Sequence, residues 1–400
     1  MDMQTHIILP HDLLGDAQSF DTYARATSLS VEVSPTYLEQ PPEGKSFPEV
    51  IAIQRLISLA RHAVPMRVQW HKRVSERVLD SPNLFPLLAV LLCLDNVSHE
   101  LLQEDGSAIA VDVQSSRQLI YKYRLQADLF SDTQILVCAD SRGQGRPKSL
   151  YSDKSSGLIA RADFESLVDR LLTSQTALNV SASQAVLFSQ SIATIVAELF
   201  ENTDIHGRLG LNDVPFKVNG IRGLVFKRVK IAQKEPRRIP DPASTPAQVS
   251  TEKEIRKELD ALEISVFDAG VGFYSSYTRQ GLRLDTPLED EWRVMHKCLE
   301  RHYDASVTDT RSSHRGMGLY EVLRALKTVH GMLEVRSGRA YGFRTFVEGE
   351  LKFQLESRDS SLRPGMPKPV LLDVARKYVT APSPHELLVG ASVRVLIPLH

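Results

Sequence analysis

Cysteine is scarce in this chain. Cys93, Cys138 and Cys298 stand far apart without Cys-x-x-Cys spacing, which argues against a disulfide framework or a zinc site built on cysteine pairs and leaves three free thiols. An excess of charge of either sign is missing too: 48 lysines and arginines against 49 aspartates and glutamates leave a formal net charge of −1. That balance argues against a chain built around nonspecific nucleic-acid binding, while permitting a local basic patch. Long hydrophobic runs are absent. The longest, LFPLLAVLLCL at 84–94, is too short to span a bilayer, and the opening MDMQTHIILP has neither the basic region nor the apolar stretch of a signal peptide. A cytoplasmic chain with no membrane partner is the expectation, and no internal repeat is found.

What is present is ordinary globular material: 400 residues, 42% hydrophobic and 24% charged, enough for two or three domains. Residues 1–145 read as an α/β domain for sensing or interaction. THIILP is strand-like; Ser46 and Glu49 stand in capping-box spacing with Pro48 in the first turn of a helix that leads to a strand at Met66–Trp70. A helix over Asn83–Leu94 and strands at AIAVDV and QILVCA follow. The turn-rich stretch around 146–159 reads as a flexible linker. Beyond it come helices near Asp163–Gln175 and Ser183–Ile205, a strand at 223–231, a polar, proline-rich insertion at about 232–259, and the buried strand LEISVFDAG. Strands at GMLEVRSG, LKFQLE and SVRVLIPL close the chain.

The stretch AELFENTDIHG at 197–207 carries the first chemical signal. Glu198, Asn202 and His206 fall four apart, and a helical step of four advances only about 40°, so they form one slowly turning polar stripe. Ile192, Val196, Leu199 and Thr203 form the apolar stripe beside it, which places the polar one at the border of the buried face. A surface helix often carries such residues, so the stripe alone decides little. VFDAGVGF adds Asp268 at the end of an apolar strand, followed by Gly270 and Gly272. A carboxylate there can accept a hydrogen bond from an exocyclic amine, and the glycines let backbone approach a flat ring. SSHRGMGLYEV then puts Gly316 and Gly318 at the opening of a helix, whose unpaired N–H groups suit an anion.

These three stretches, in this order, resemble the GHKL ATPase superfamily, the histidine kinase-like ATPases of the Bergerat fold. ELFENTDIHG looks like the family's N box, DAGVG its first glycine box, RGMGL its second and VGASVRVLIPL its closing strand, so that the resemblance covers about 160–400. It implies a C-terminal two-layer α/β sandwich with a mixed sheet, an ATP lid over about 273–315 with a helix at 289–303, and ATP and Mg²⁺ as cofactors. Carried over, Asn202 would coordinate Mg²⁺ through its amide oxygen and Glu198 would be the catalytic base that activates water. Asp268 would read the adenine amine. Gly270, Gly272, Arg315, Gly316, Met317, Gly318, Leu319 and Ser392 would shape or contact the nucleotide. His206 either approaches the phosphates or serves structurally at the helix end, with Gly207 as the stop; Arg311, His314 and Arg315 contact phosphate or are solvated lid charges. The closing strand departs from the family's Gly-Thr, having Gly390–Ala391 with Ser392 next.

The expected function is a Mg²⁺-dependent ATP-hydrolysing switch that couples nucleotide state to a protein partner, with a homodimer left open. The alternatives are an anti-sigma-type serine/threonine kinase, a histidine-kinase-like enzyme, or a nonhydrolysing nucleotide-sensing module. A histidine kinase needs an acceptor on a long helical hairpin, whereas the tempting one, His99 in SHELLQEDG, is followed by a turn and strand-like sequence, and PHELL at 384–388 lies in a proline-rich connection. The chain closes at His400 just after the final strand, so a C-terminal transducer, as in DNA-linked relatives, is not expected. The basic residues from Lys217 to Arg238 are read as the wet face of a strand rather than a nucleic-acid surface.

Overall fold

Parallel strands need crossovers of helical length, and the early apolar runs are spaced to allow them. The computed structural model describes residues 4–9, 12–14, 17–35, 49–61, 65–72, 86–122, 133–140, 146–152, 157–175, 182–233, 257–300, 318–346, 370–375 and 381–399. Strands β1 (Gln4–Leu9), β2 (Ser28–Val33), β3 (Met66–His71) and β4 (Val97–Leu102) lie parallel in sequence order, and β5 (Ala108–Ala110) adds antiparallel to β4. Helices α1 (Ala17–Ala24), α2 (Glu49–Arg61) and α3 (Pro86–Cys93) lie in the connections, and α4 (Gln114–Lys122) follows β5. Every residue of α3 is buried, as its all-round apolar sequence requires. Ser46 and Pro48, the expected helix-start signals before α2, fall outside the described residues.

A second sheet has seven strands in the order β11-β10-β9-β12-β8-β7-β6. They are β6 (Thr133–Ala139), β7 (Ile221–Gln233), β8 (Lys257–Asp268), β9 (Met332–Gly338), β10 (Ala340–Thr345), β11 (Leu372–Asp373) and β12 (Leu388–Pro398). The protein is thus mixed α/β with two sheets. The mixed sheet expected in the C-terminal part is corrected: among the described strands every pairing there is antiparallel, and the mixed sheet is the N-terminal one. Part of the reason is local, since Arg339 alone joins β9 to β10 and a single residue cannot make a parallel crossover. Strand β6 lies within the stretch read as the N-terminal domain, yet it pairs along β7 from Thr133–Lys227 to Ala139–Ile221. LKFQLE lies outside the described residues.

The helices of this part are α5 (Arg161–Gln175), α6 (Ala182–Asn202), α7 (Gly272–Thr278), α8 (Leu288–Leu299) and α9 (Gly318–Thr328). Alternation along the strands assigns the two faces. Leu262, Ile264 and Val266 of β8 and Val393, Val395 and Ile397 of β12 join Val196, Leu199 and Leu326 of the helices in one core. The opposite face meets α2, which lies between the sheets: Ile53 and Ile57 share a core with Val31 and Val68 on one side and Phe267 and Leu388 on the other. Among the described residues no helix is long and apolar enough to cross a membrane.

That second face is buried yet charged. Arg394 binds Glu263 at 2.7 Å and Glu334 at 3.0 Å, and the Tyr341 hydroxyl donates to Glu334 at 2.8 Å. Arg55 of α2 and Arg336 of β9 share Glu386 at 2.6 and 3.0 Å. Each charge here has an opposite neighbour, which buried ions require. Two basic residues of β7 therefore need correction, while Lys230 is exposed as expected: Lys227, 4% exposed, lies under α2 with Glu49 at 3.8 Å, and Arg222 is wholly buried on the α6 side.

Candidate functional site

The end of α6 gathers the polar stripe. Glu198 and Asn202 occupy its last turns, and then the chain widens into a π-helical turn over Thr203–Gly207 that carries His206. Such turns insert extra backbone into a helix and recur at functional sites. Here it is pinned from below. The Thr203 hydroxyl donates to the Phe200 carbonyl at 2.8 Å, while Asp204 accepts from the Tyr151 hydroxyl at 2.7 Å and pairs with Arg222 at 2.9 Å. Arg222 in turn holds Asp140 through two nitrogens, at 2.5 and 3.2 Å, and donates to the Tyr151 oxygen.

Asp268, at the end of β8, stands opposite Arg222 on one side and Ala391 on the other. Its Oδ1 accepts the backbone N–H of Gly270 at 2.8 Å and of Ala391 at 3.2 Å, and burial pushes the carboxyl up from 3.8 to about 6. Glycine is required against it. A Cβ on Gly207 would lie 2.5 Å from the Asp268 Cβ, so the glycine that ends the π turn is dictated by contact with this residue as well as by any role as a helix stop.

The start of α9 completes the arrangement. A Cβ on Gly318 would lie 2.9 Å from Glu198 Oε2 and 3.3 Å from Asn202 Nδ2, so α9 begins directly against the two N-terminal members of the stripe. A cleft of about 240 Å³ runs between these parts. Asn202, His206, Asp268 and Gly318 give it its polar edge, and Leu199, Val266, Phe273, Leu319 and Val393 its apolar walls, with Gly272 also in the lining. An apolar cleft with a few convergent polar groups is the usual form of a small-molecule site.

The structure thus brings Asn202, His206, Asp268, Gly272, Gly318 and Leu319 to one cleft, with Glu198 beside Gly318 and Gly270 beneath Asp268. His206 Nδ1 lies 3.2 Å from the Ser276 hydroxyl of α7. Ser392 is a correction. Its neighbours Ala391 and Val393 line the cleft, so period-two alternation turns Ser392 to the other face, where its hydroxyl donates to Gln54 Oε1 of α2 at 2.7 Å. Arg315, Gly316 and Met317, along with Arg311 and His314, lie outside the described residues, as do all residues from 301 to 317. Of the helix expected at 289–303, the described residues show α8, Leu288–Leu299. His99 sits in β4, buried, accepting from the Trp70 indole at 3.1 Å, and so is not on a helical hairpin.

Sequence reasoning missed three contributors. Ala391 supplies a backbone N–H to Asp268, which the antiparallel pairing of the two strands makes natural. Cys298 of α8 lines the cleft, its thiol pushed up to about 12 by burial. Arg161, the first residue of α5, pairs with Glu198 Oε1 at 2.9 Å; burial raises the Glu198 carboxyl and this guanidinium opposes the rise. Only the basic residue at a helix start signalled it, and such residues are common.

One polar atom is left over. Asn202 Nδ2 is buried and has no hydrogen-bond partner among the described residues. Because the two ends of an amide are exchangeable by rotation, the same position can present Oδ1 instead. No group of three or more His, Cys, Asp or Glu side chains among the described residues can hold a metal ion, so a full protein cage is not offered. A single amide oxygen beside a helix start suits Mg²⁺, which keeps waters and takes most of its remaining ligands from phosphates. Comparison with known proteins returns nothing: no protein-family profile, curated protein or solved structure matches the chain.

Proposed function

We propose that this chain is a cytoplasmic GHKL-type ATPase switch, binding ATP with Mg²⁺ in the Asp268–Asn202 cleft and hydrolysing it with Glu198 as base. The observation that carries the reading is convergence. Three stretches centred on Asn202, Asp268 and Gly318, far apart in sequence, meet at one apolar cleft, with the buried carboxylate at the end of β8 and the orphaned amide against the opening of α9.

Each residue then has a defined task. Asp268, fixed by two backbone N–H groups, accepts from the exocyclic amine of the base with its remaining oxygen capacity. Leu199, Val266 and Val393 exclude water from the ring's faces. The first N–H groups of α9 face the phosphates, where the helix terminus favours negative charge. Asn202 would hold Mg²⁺ through Oδ1, and bound Mg²⁺ supplies charge neutralisation across the phosphate oxygens. Glu198 takes a proton from water as the water oxygen bonds to the γ-phosphorus; the bond to the bridging oxygen breaks, giving ADP and phosphate. The N-terminal α/β part, packed on the back of the sheet through α2, is the surface we assign to a protein partner, and closure around nucleotide supplies the signal.

Two measurements test the binding half. Calorimetry of the Asn202→Ala chain should retain ATP binding without metal but lose the strengthening that Mg²⁺ gives the parent; unchanged Mg²⁺ dependence would remove Asn202 from the metal's ligands. The second is pH dependence. Only the ionised Asp268 is purely an acceptor, so ATP affinity should fall as pH drops through about 6, approaching tenfold per unit well below it. Stability of the unliganded chain should respond in the opposite sense. With a folded pKa raised above 3.8, Asp268's contribution is most favourable below 3.8 and is lost as pH rises through about 6. An ATP affinity flat from pH 7.5 to 5 would count against Asp268 as the base reader.

A further inference from the structure

Part of the turn-rich sequence before α5 packs against the stripe-bearing helix, with Leu150 and Tyr151 in one core with Val196 and Phe200. Residues 150–152 and 157–159 pair with each other: Ser152 N–H donates to the Gly157 carbonyl at 2.9 Å, Ile159 N–H to the Leu150 carbonyl at 3.0 Å, and Tyr151 bridges to Leu158. Leu150 is wholly buried. Residues 157–160 lead directly into α5, whose Leu167 and Val168 join the core with Val196 and Phe200 of α6. The end of α6 is held at two points. Tyr151 binds Asp204 of the π turn, and Arg161, two residues beyond Ile159, binds Glu198.

The two oxygens of Glu198 are thereby distinguished. Oε1 accepts from Arg161 at 2.9 Å, and Oε2 is the atom facing Gly318, 2.9 Å from where its Cβ would stand, beside the Asn202 amide. A glutamate has three side-chain torsions to fix, and α6 alone fixes only its root. Arg161 fixes the far end. We infer that Arg161 is a positioning residue for hydrolysis: it holds the Glu198 carboxylate with one oxygen turned toward the opening of α9, and the pairing of residues 157–159 with 150–152 just before α5 helps set where Arg161 stands. The inference rests on the proposed function, since it needs Glu198 to act on water. Arg161 itself is 54% exposed at its side chain and Glu198 only 13%, so the pair is anchored on the glutamate side and removing the arginine disturbs little of the core.

The test compares the full-length parent with Arg161→Ala, Arg161→Lys, Glu198→Ala and the Arg161→Ala/Glu198→Ala double variant, measuring ATP turnover and, by calorimetry, ATP affinity with Mg²⁺. Expected is a drop in kcat of about tenfold for Arg161→Ala with Kd changed less than about twofold, substantial recovery in Arg161→Lys, and no further loss when Arg161→Ala is added to Glu198→Ala. Parallel losses of kcat, affinity and melting temperature would mark a merely structural pair and overturn the inference. So would additive losses in the double variant. A parent that binds ATP without turning it over overturns this inference and leaves the binding site standing, whereas a parent that binds no ATP overturns the functional reading along with it.

Discussion

Gly390→Ala is expected to cost most of the chain's stability and to abolish the cleft. Gly390 has φ +77°, and a Cβ there would stand 1.9 Å from the Asp268 carbonyl oxygen and 2.8 Å from its carbon. Two penalties add. The left-handed conformation costs a non-glycine residue about 1–2 kcal/mol. The overlap is with backbone, so it cannot be relieved by swinging a side chain aside; β12 must move away from β8, and with it the Ala391 N–H that Asp268 accepts. A loss of about 4 kcal/mol or more is expected, against a total of about 5–15 for an ordinary domain. Gly106 separates the two terms: it has φ +80° with nothing within 4 Å of a Cβ, so Gly106→Ala should cost only the conformational part, about 1–2 kcal/mol. Denaturant unfolding of both variants makes the comparison. Similar losses in the two would show that β12 and β8 are not packed as closely as described.

Glu198→Ala is the second large expected effect, and it falls on rate rather than stability. A positioned general base contributes about 10²- to 10⁴-fold to a proton transfer, so turnover should drop by that order. Affinity should stay within about threefold of the parent, because Asp268 and the apolar walls line the cleft without Glu198. Stability should hold as well. The partner left behind, Arg161, is more than half exposed and rehydrates, while a largely covered glutamate whose charged form the surroundings disfavour has been removed. Turnover equal to the parent's would exclude Glu198 as the base.

Much of the frame can be read in the chain. The apolar period that predicted a helix over Ser183–Ile205 is seen in α6, and the run LEISVFDAG does form the central β8 with Asp268 at its end. Local pattern suffices for such elements, and it placed Asn202, Asp268 and Gly318 near element ends where side chains meet a cleft. What escaped was set by distant partners. Lys227 alternates like a solvent-facing strand residue, and only the packing of α2, more than 160 positions earlier, puts it beside Glu49. Ser392 was assigned by analogy to a neighbouring position, although its register opposite Phe267 turns it to α2. The π turn was invisible because its cause is the anchoring of Asp204 by Arg222 of β7 and by Tyr151, distant in sequence. The polar composition around Tyr151 gives no sign that Leu150 and Tyr151 are buried with residues of α6.

The central claim is that the cleft between Asp268 and Asn202 takes ATP with Mg²⁺. Calorimetric titration of the unmodified chain with ATP, with and without Mg²⁺ at pH 7.5, addresses it most directly. A saturable isotherm with one nucleotide per chain, tightened by Mg²⁺ and competed by ADP, is the predicted result. No binding at millimolar ATP in either condition, by a chain whose unfolding is cooperative, would contradict it.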